Sequence, residues 1–273
     1  MTFRLSLNTS TIKPQPLLEK VRIAAEAGYD GIELWVNDIY EFVGQGGEVG
    51  EVQRALRDHG LQTPSMIALR GWGEAAPLEY PLMIDEAKRR MELARRFDCP
   101  YLVCSPPRER CAFSQIADRY ADLLEVGRSI GVKPTFEYIS FFNSVASLEQ
   151  GWAVVNRVSQ DPHATIILDA FHSWNTNSSL DTLRQIPASR ISHYHIDDAA
   201  AHLTPGKQRD PDRVMVGDGV IDLVAELRVL IELGYNGWIS LELFNPALWD
   251  RDPLEVARLG RDRILQTIAS ATE

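Results

Sequence analysis

The sequence predicts a single (β/α)8 barrel over residues 1–273, and three observations lead there. Eight short β-rich runs alternate with helical stretches, the pattern of a parallel sheet with crossover helices. A chain of 273 residues, 45% of them hydrophobic, can bury a core of that size as one domain. No GxGxxG follows the first run, so the usual mark of a doubly wound dinucleotide-binding sheet is missing.

In chain order the strands are expected at RLSLNT (4–9), GIELWV (31–36), TPSMIAL (63–69), YLVCSP (101–106), KPTFEYI (133–139), TIILDAF (165–171), ISHYHID (191–197) and GWISLELF (237–244). After the first, PLLEKVRIAAEAG sets Leu17, Val21, Ala24 and Ala25 on one helical face, and LVAELRVLIELG does the same with Leu223, Leu227, Leu230 and Ile231. Each ends at a glycine, Gly28 and Gly234, where a left-handed cap would stop the helix. Further helices are expected at about 81–97, 114–130, 147–159 and 253–270, with shorter ones after the second and sixth strands.

The balance of 28 basic against 38 acidic residues gives a formal charge of −10, which repels phosphate backbones and anionic lipid surfaces. With no basic cluster visible, neither nucleic acid nor membrane is an expected partner. The opening MTFRLSLNTS has too short an apolar run for a signal peptide, and no later segment approaches a membrane span, so a cytoplasmic protein is expected. Cys99, Cys104 and Cys111 are odd in number and lack CxxC spacing, which suggests neither a disulfide framework nor a thiolate zinc site.

In a barrel of this kind the chemistry gathers at the C-terminal ends of the strands. There the fifth to eighth strands offer Glu137, Asp169, His195 and Glu242. Each stands between apolar neighbours suited to face the helices: Phe136 and Tyr138, Leu168 and Ala170, Tyr194 and Ile196, Leu241 and Leu243. The four polar side chains therefore face the barrel axis. Any one carboxylate alone reads as a salt-bridged rim residue. Three together would repel unless a cation or protons neutralised them, and a divalent ion does so directly. The oxygen-rich set favours Mn²⁺ or Mg²⁺, and the histidine also admits Co²⁺ or Zn²⁺. His193 shares the inward parity of His195 one layer deeper and is expected to support it from beneath. Asp197 is expected to orient a neighbour, and Asp198 to be solvent-exposed.

Three stretches, LDAFHSW (168–174), HYHIDD with DPDRVMVGDGVIDL (193–198 and 210–223), and SLELFNPALW (240–249), resemble the metal-dependent xylose-isomerase-like barrels. That family includes sugar and sugar-phosphate isomerases and epimerases, and the pattern here is most similar to its inosose (2-keto-myo-inositol) isomerase members. The resemblance implies that Glu137, Asp169, His195 and Glu242 bind the metal, and that His172 and Arg213 contact substrate oxygens. The family's Pro-Gly-x-Gly before the seventh helix stands here as Val216, Gly217, Asp218, Gly219, which keeps the turn but not its first residue. A dimer or tetramer is a further family expectation.

The chemistry implied is proton transfer on a keto sugar or keto-inositol through an enediolate, with Glu137 and Glu242, three strands apart, as acid and base on opposite sides of a bound ring. Asn8, Trp35 and Arg70, at the ends of the first three strands, are candidate substrate contacts, although packing accounts equally well for Trp35 and for Trp72. Glu33, lower in its strand, is expected to make a structural hydrogen bond. The loop from Asp198 to Gly219, carrying Lys207 and Arg209, reads either as a lid or as solvated surface. The competing classes are a lyase of the inosose or 3-dehydroshikimate dehydratase kind, a C-glycoside-cleaving relative, an abasic-site endonuclease and a sugar-binding barrel. The endonuclease reading suffers from Trp35 and Arg70, which stand where its additional histidines belong.

Overall fold

A computed structural model describes residues 3–273. Eight parallel strands close on themselves: β1 (Arg4–Asn8), β2 (Gly31–Trp35), β3 (Met66–Leu69), β4 (Tyr101–Cys104), β5 (Lys133–Phe136), β6 (Thr165–Asp169), β7 (Ile191–Ile196) and β10 (Trp238–Leu241), which returns to β1. Between β7 and β10 lies a short antiparallel hairpin, β8 (Asp198–Ala199) with β9 (Arg213–Val214).

The crossovers run α1 (Leu17–Glu26), α2 (Val36–Gly44), α3 (Val49–Asp58), α4 (Tyr80–Arg96), α5 (Phe113–Ile130), α6 (Leu148–Arg157), α7 (Ala170–Asn175), α8 (Leu180–Arg184), α9 (Leu223–Glu232), α10 (Pro246–Trp249) and α11 (Pro253–Thr272). The two short-helix regions are each a pair of helices. Gln45–Glu48 separates α2 from α3, and Asn177, with φ 53°, turns the chain between α7 and α8. At the ends of α1 and α9, Gly28 (φ 82°) and Gly234 (φ 75°) adopt the left-handed conformation their positions called for.

The residues flanking the four strand-end polar side chains, Phe136, Tyr138, Leu168, Ala170, Tyr194, Ile196, Leu241 and Leu243, all belong to the main core between sheet and helices. Ile67, Ala68, Val103 and Ile167, with Trp35 against them, form a second apolar cluster. By alternation Ile167 shares its face with Asp169, so this cluster lies beneath the site.

Every barrel strand but β3 ends one to three residues sooner than its apolar run suggests, and β5 and β10 fall shortest, by three residues each. β5 stops at Phe136 and β10 at Leu241, which makes Glu137 and Glu242 the first residues beyond the ladder. Each still donates one last sheet-like bond, Glu137 N to Cys104 O at 3.1 Å and Glu242 N to Ile196 O at 3.3 Å. The backbone is therefore held while the side chain is presented at the rim. β3 begins at Met66, three residues later than Thr63, because Pro64 has no N–H to give to the ladder.

Candidate metal centre

Asp169 ends β6 and caps α7, its Oδ1 accepting from His172 N at 2.7 Å, while the register places it opposite His195 of β7. His195 is also in register with Ser240 of β10, two residues before Glu242. Sheet pairing thus brings Asp169, His195 and Glu242 to one level. One ligand-type atom from each lies within 4.8 Å of the other two. Atoms bound at about 2.0–2.2 Å to one ion cannot be more than about 4.4 Å apart, so small side-chain adjustments suffice to share a cation.

His195 Nδ1 is 3.2 Å from Glu242 Oε2 and 3.7 Å from Asp169 Oδ2. It is buried and makes no hydrogen bond among the described residues. A buried imidazole nitrogen facing two carboxylates is the arrangement a cation completes. Glu137 falls outside this cluster and is the most exposed of the four, at 7%. Ser105 Oγ donates to its Oε2 at 3.0 Å. Burial, reinforced by the Glu242 carboxylate, pushes the Glu137 carboxyl up to about 8. Burial would likewise raise Asp169, but Arg213 and His172 outweigh it and hold that carboxylate far below its usual range.

Arg213, expected to meet substrate, is 1% exposed and turned onto the protein's own carboxylates. Its Nη1 donates to Asp169 Oδ2 at 3.0 Å, to Glu242 Oε2 at 3.1 Å and to Asp197 Oδ2. The guanidinium lies over the rings of Phe171 (4.9 Å) and Phe244 (5.5 Å). Three carboxyl groups converging on one point draw in the nearest cation that β9 supplies. His172 lies beside it, Nε2 3.2 Å from Arg213 Nη2 and Nδ1 3.0 Å from Ser140 Oγ. Burial, with help from Arg213 against the pull of Asp169, lowers His172 to about 4 and keeps the ring neutral.

Asn8, another expected substrate contact, is fully buried and wholly engaged. Its Nδ2 donates to Glu33 Oε2 (2.7 Å) and Glu242 Oε1 (2.9 Å), and its Oδ1 accepts from Ser10 N (2.9 Å) and Trp35 Nε1 (3.0 Å). Asn8 is therefore part of the frame. Trp35 and Arg70 do reach the mouth: Arg70 lies over the Trp35 indole at 5.3 Å, and Trp35 and Phe244 meet edge to face. Trp35 and Phe244, with Thr9, Ser10, Lys13, Asn37 and Asp38, line a cavity of about 200 Å³. Trp72 is buried packing, its Nε1 donating to Ser105 O.

The residues below and behind fill out the picture. His193 lies beneath His195, the two rings 4.9 Å apart. Asp197 orients two neighbours, accepting from Phe171 N at 2.9 Å as well as from Arg213. Asp198 overturns its expected exposure. It is 1% exposed and accepts from Gly217 N, Gly219 N and Ile221 N at 2.9–3.1 Å, and a Cβ at Gly219 would overlap its carboxylate. The turn Val216–Gly219 is thus a cradle for Asp198. The long loop is anchored too. Asn175 binds Gln208 O and Gly206 N, and the buried Gln208 amide binds Ala200 and Leu203. Glu33, read only as a structural hydrogen bond, turns out to face both histidines. Its inward parity was the available signal.

The family model described as "Xylose isomerase-like TIM barrel" matches residues 21–266. Inosose isomerase of Bacillus velezensis is 27% identical over 97% of this chain and 93% of its own length. The 3-dehydroshikimate dehydratase of Pseudomonas aeruginosa is 26% identical over 84% of this chain, which spans 36% of that longer protein. The crystal structure of IOLI protein with a binding zinc atom superposes with a TM-score of 0.91 at 25% identity, over 98% of both chains. A closed eight-stranded barrel, a carboxylate and imidazole cluster at its mouth and a match over most of the length lead to one conclusion: the chain belongs to the xylose isomerase-like TIM barrel family.

Proposed function

We propose that this protein is a divalent-metal-dependent isomerase or epimerase acting on a keto sugar or keto-inositol. The observation that carries the reading is the convergence of His195 Nδ1 with the Asp169 and Glu242 carboxylates, all buried, with Glu137 alongside. The names of the relatives, and the zinc in the IOLI structure, point the same way. A divalent ion held by Glu137, Asp169, His195 and Glu242 would supply Lewis acidity toward a substrate carbonyl and its neighbouring hydroxyl. Mn²⁺, Mg²⁺, Co²⁺ and Zn²⁺ all suit such a donor set.

The protein's own groups then handle the proton. Glu137, beside the tight Asp169–His195–Glu242 group, is placed for general acid/base work on the carbon beside a carbonyl. Ser105 fixes one of its oxygens and leaves the other free of hydrogen bonds among the described residues. Glu242, from the opposite part of the barrel order, serves the second face of the substrate. Return of the proton to the same carbon from the other side inverts a centre, whereas delivery to the adjacent carbon moves the ketone. The Trp35–Arg70–Phe244 wall is suited to meet a ring face of the substrate, whereas His172, buried and engaged at both nitrogens by Ser140 and Arg213, belongs with Asn8 to the frame.

Incubation of metal-loaded protein with inososes, ketohexoses and 3-dehydroshikimate in D₂O, followed by NMR, tests this. Deuterium at the carbon beside the carbonyl, together with an inverted or shifted ketone, is expected for one of the first two classes. Absence of exchange on every compound rejects the reading. The similarity to 3-dehydroshikimate dehydratase supports a second reading, loss of a β-hydroxyl after the same proton abstraction. Growth of ultraviolet absorbance from a conjugated enone selects it.

A further inference from the structure

A second group of ligand-type side chains lies beneath the first: Glu33, His193 and His195, all with 0% exposure. Its geometry is that of hydrogen bonding. Glu33 Oε1 accepts from His193 Nε2 at 2.9 Å and from Ser65 Oγ. Glu33 Oε2 accepts from Asn8 Nδ2 at 2.7 Å, His195 Nε2 at 2.8 Å and Ser240 Oγ at 3.0 Å. A carboxylate offers about four lone-pair sites, so five donors saturate it and leave no approach for a cation. The donors come from β1, β7, β10 and the residue before β3, all meeting one side chain of β2.

The hydrogen bond at one imidazole nitrogen decides what the other can do. Because His195 spends Nε2 on Glu33, the nitrogen it presents to Asp169 and Glu242 is Nδ1. The same carboxylate reaches Glu242 as well, since Asn8 Nδ2 straddles Glu33 Oε2 and Glu242 Oε1. We propose that Glu33 is the positioning residue of the metal centre: it fixes His195 with its proton on Nε2 and its Nδ1 lone pair toward the ion, and through Asn8 it sets the Glu242 carboxylate. This deepens the functional reading above and rests on it. Ser65 contacts only the Oε1 side, where Glu33 meets His193.

The test compares wild type, Glu33→Gln and Ser65→Ala by Zn²⁺ affinity in chelator competition and by ¹H–¹⁵N NMR of the histidine rings. Wild type should show a downfield, exchange-protected Nε2 proton on His195 with and without Zn²⁺, and Zn²⁺ contact at Nδ1. Glu33→Gln should shift that proton upfield and weaken Zn²⁺ binding by about 10- to 100-fold, while Ser65→Ala should stay within about threefold of wild type. Glu33→Asp keeps the charge but retracts from both rings. It should lose affinity as well, and replaces the glutamine variant if that one does not fold. Equal affinity of wild type and a folded Glu33 variant, or Zn²⁺ on Nε2, overturns the role of Glu33 while leaving the functional reading standing. A wild-type chain that takes up no divalent ion overturns both.

Discussion

Glu137 differs from the other three strand-end groups. It stands outside their cluster, is the most exposed of the four and has one carboxyl oxygen without a hydrogen bond among the described residues. Those are properties of a proton carrier more than of a tight ligand. Replacing Glu137 by Gln should lower turnover by about 10²- to 10⁴-fold while the protein stays folded; full activity of the variant on the substrate found by NMR rejects the assignment. At this scale the inward parity of each side chain was legible in the sequence. Its partners were not. Asn8 and Arg213 were expected to face substrate, but unpaired carboxylates across the barrel attract them first, and those carboxylates come from residues about 30 to 230 positions distant.

Two tertiary contacts of secondary-structure elements carry predictions of their own. Asp198 opens β8 and ties the turn before α9, so Asp198→Ala leaves four backbone N–H groups, those of Ala199, Gly217, Gly219 and Ile221, without that acceptor. A loss of about 2–3 kcal/mol is expected, since hydrogen bonds to a charged group are the strong ones. Urea unfolding measures it, and a midpoint unchanged from wild type contradicts the cradle. On α9, the half-buried Glu226 accepts from Tyr194 Oη of β7 at 2.7 Å. Burial, resisted by that hydrogen bond, pushes its carboxyl up from 4.5 to about 8. A carboxylic acid raised on folding keeps a proton that the unfolded chain releases, so its contribution to stability is full below pH 4.5 and is lost as the pH climbs to about 8. Glu226→Gln should flatten the fall in melting temperature across that window and be the more stable protein at its upper end. Parallel slopes for the two proteins would contradict the buried-acid assignment.

For the molecule as a whole, β1 and β10 close the barrel, and α11 packs closely against β10 and beside α1. Gly260 permits that approach, because a Cβ there would overlap the Leu241 side chain. Gly260→Val is expected to destabilise by about 1–3 kcal/mol through overpacking, which chemical denaturation would register. The centre itself should couple to global stability: a divalent ion at 100 times its dissociation constant adds about 2.7 kcal/mol. Melting temperature should rise with Mn²⁺ or Zn²⁺ and return on chelation, and a flat response would argue against a resident ion.

The sequence by itself determined the barrel, most helix boundaries and the strand-end positions of the four polar residues. Hydrophobic periodicity and glycine caps are local properties, and strand parity follows from them. Only the tertiary structure decided which polar atoms meet. Strand register brought Asp169, His195 and Glu242 to one level, left Glu137 to one side, folded Asp198 under its own turn and made Glu33 the acceptor for five donors. Hydrogen bonds across a closed barrel depend on register and side-chain reach within fractions of an ångström, and no window of the chain records them.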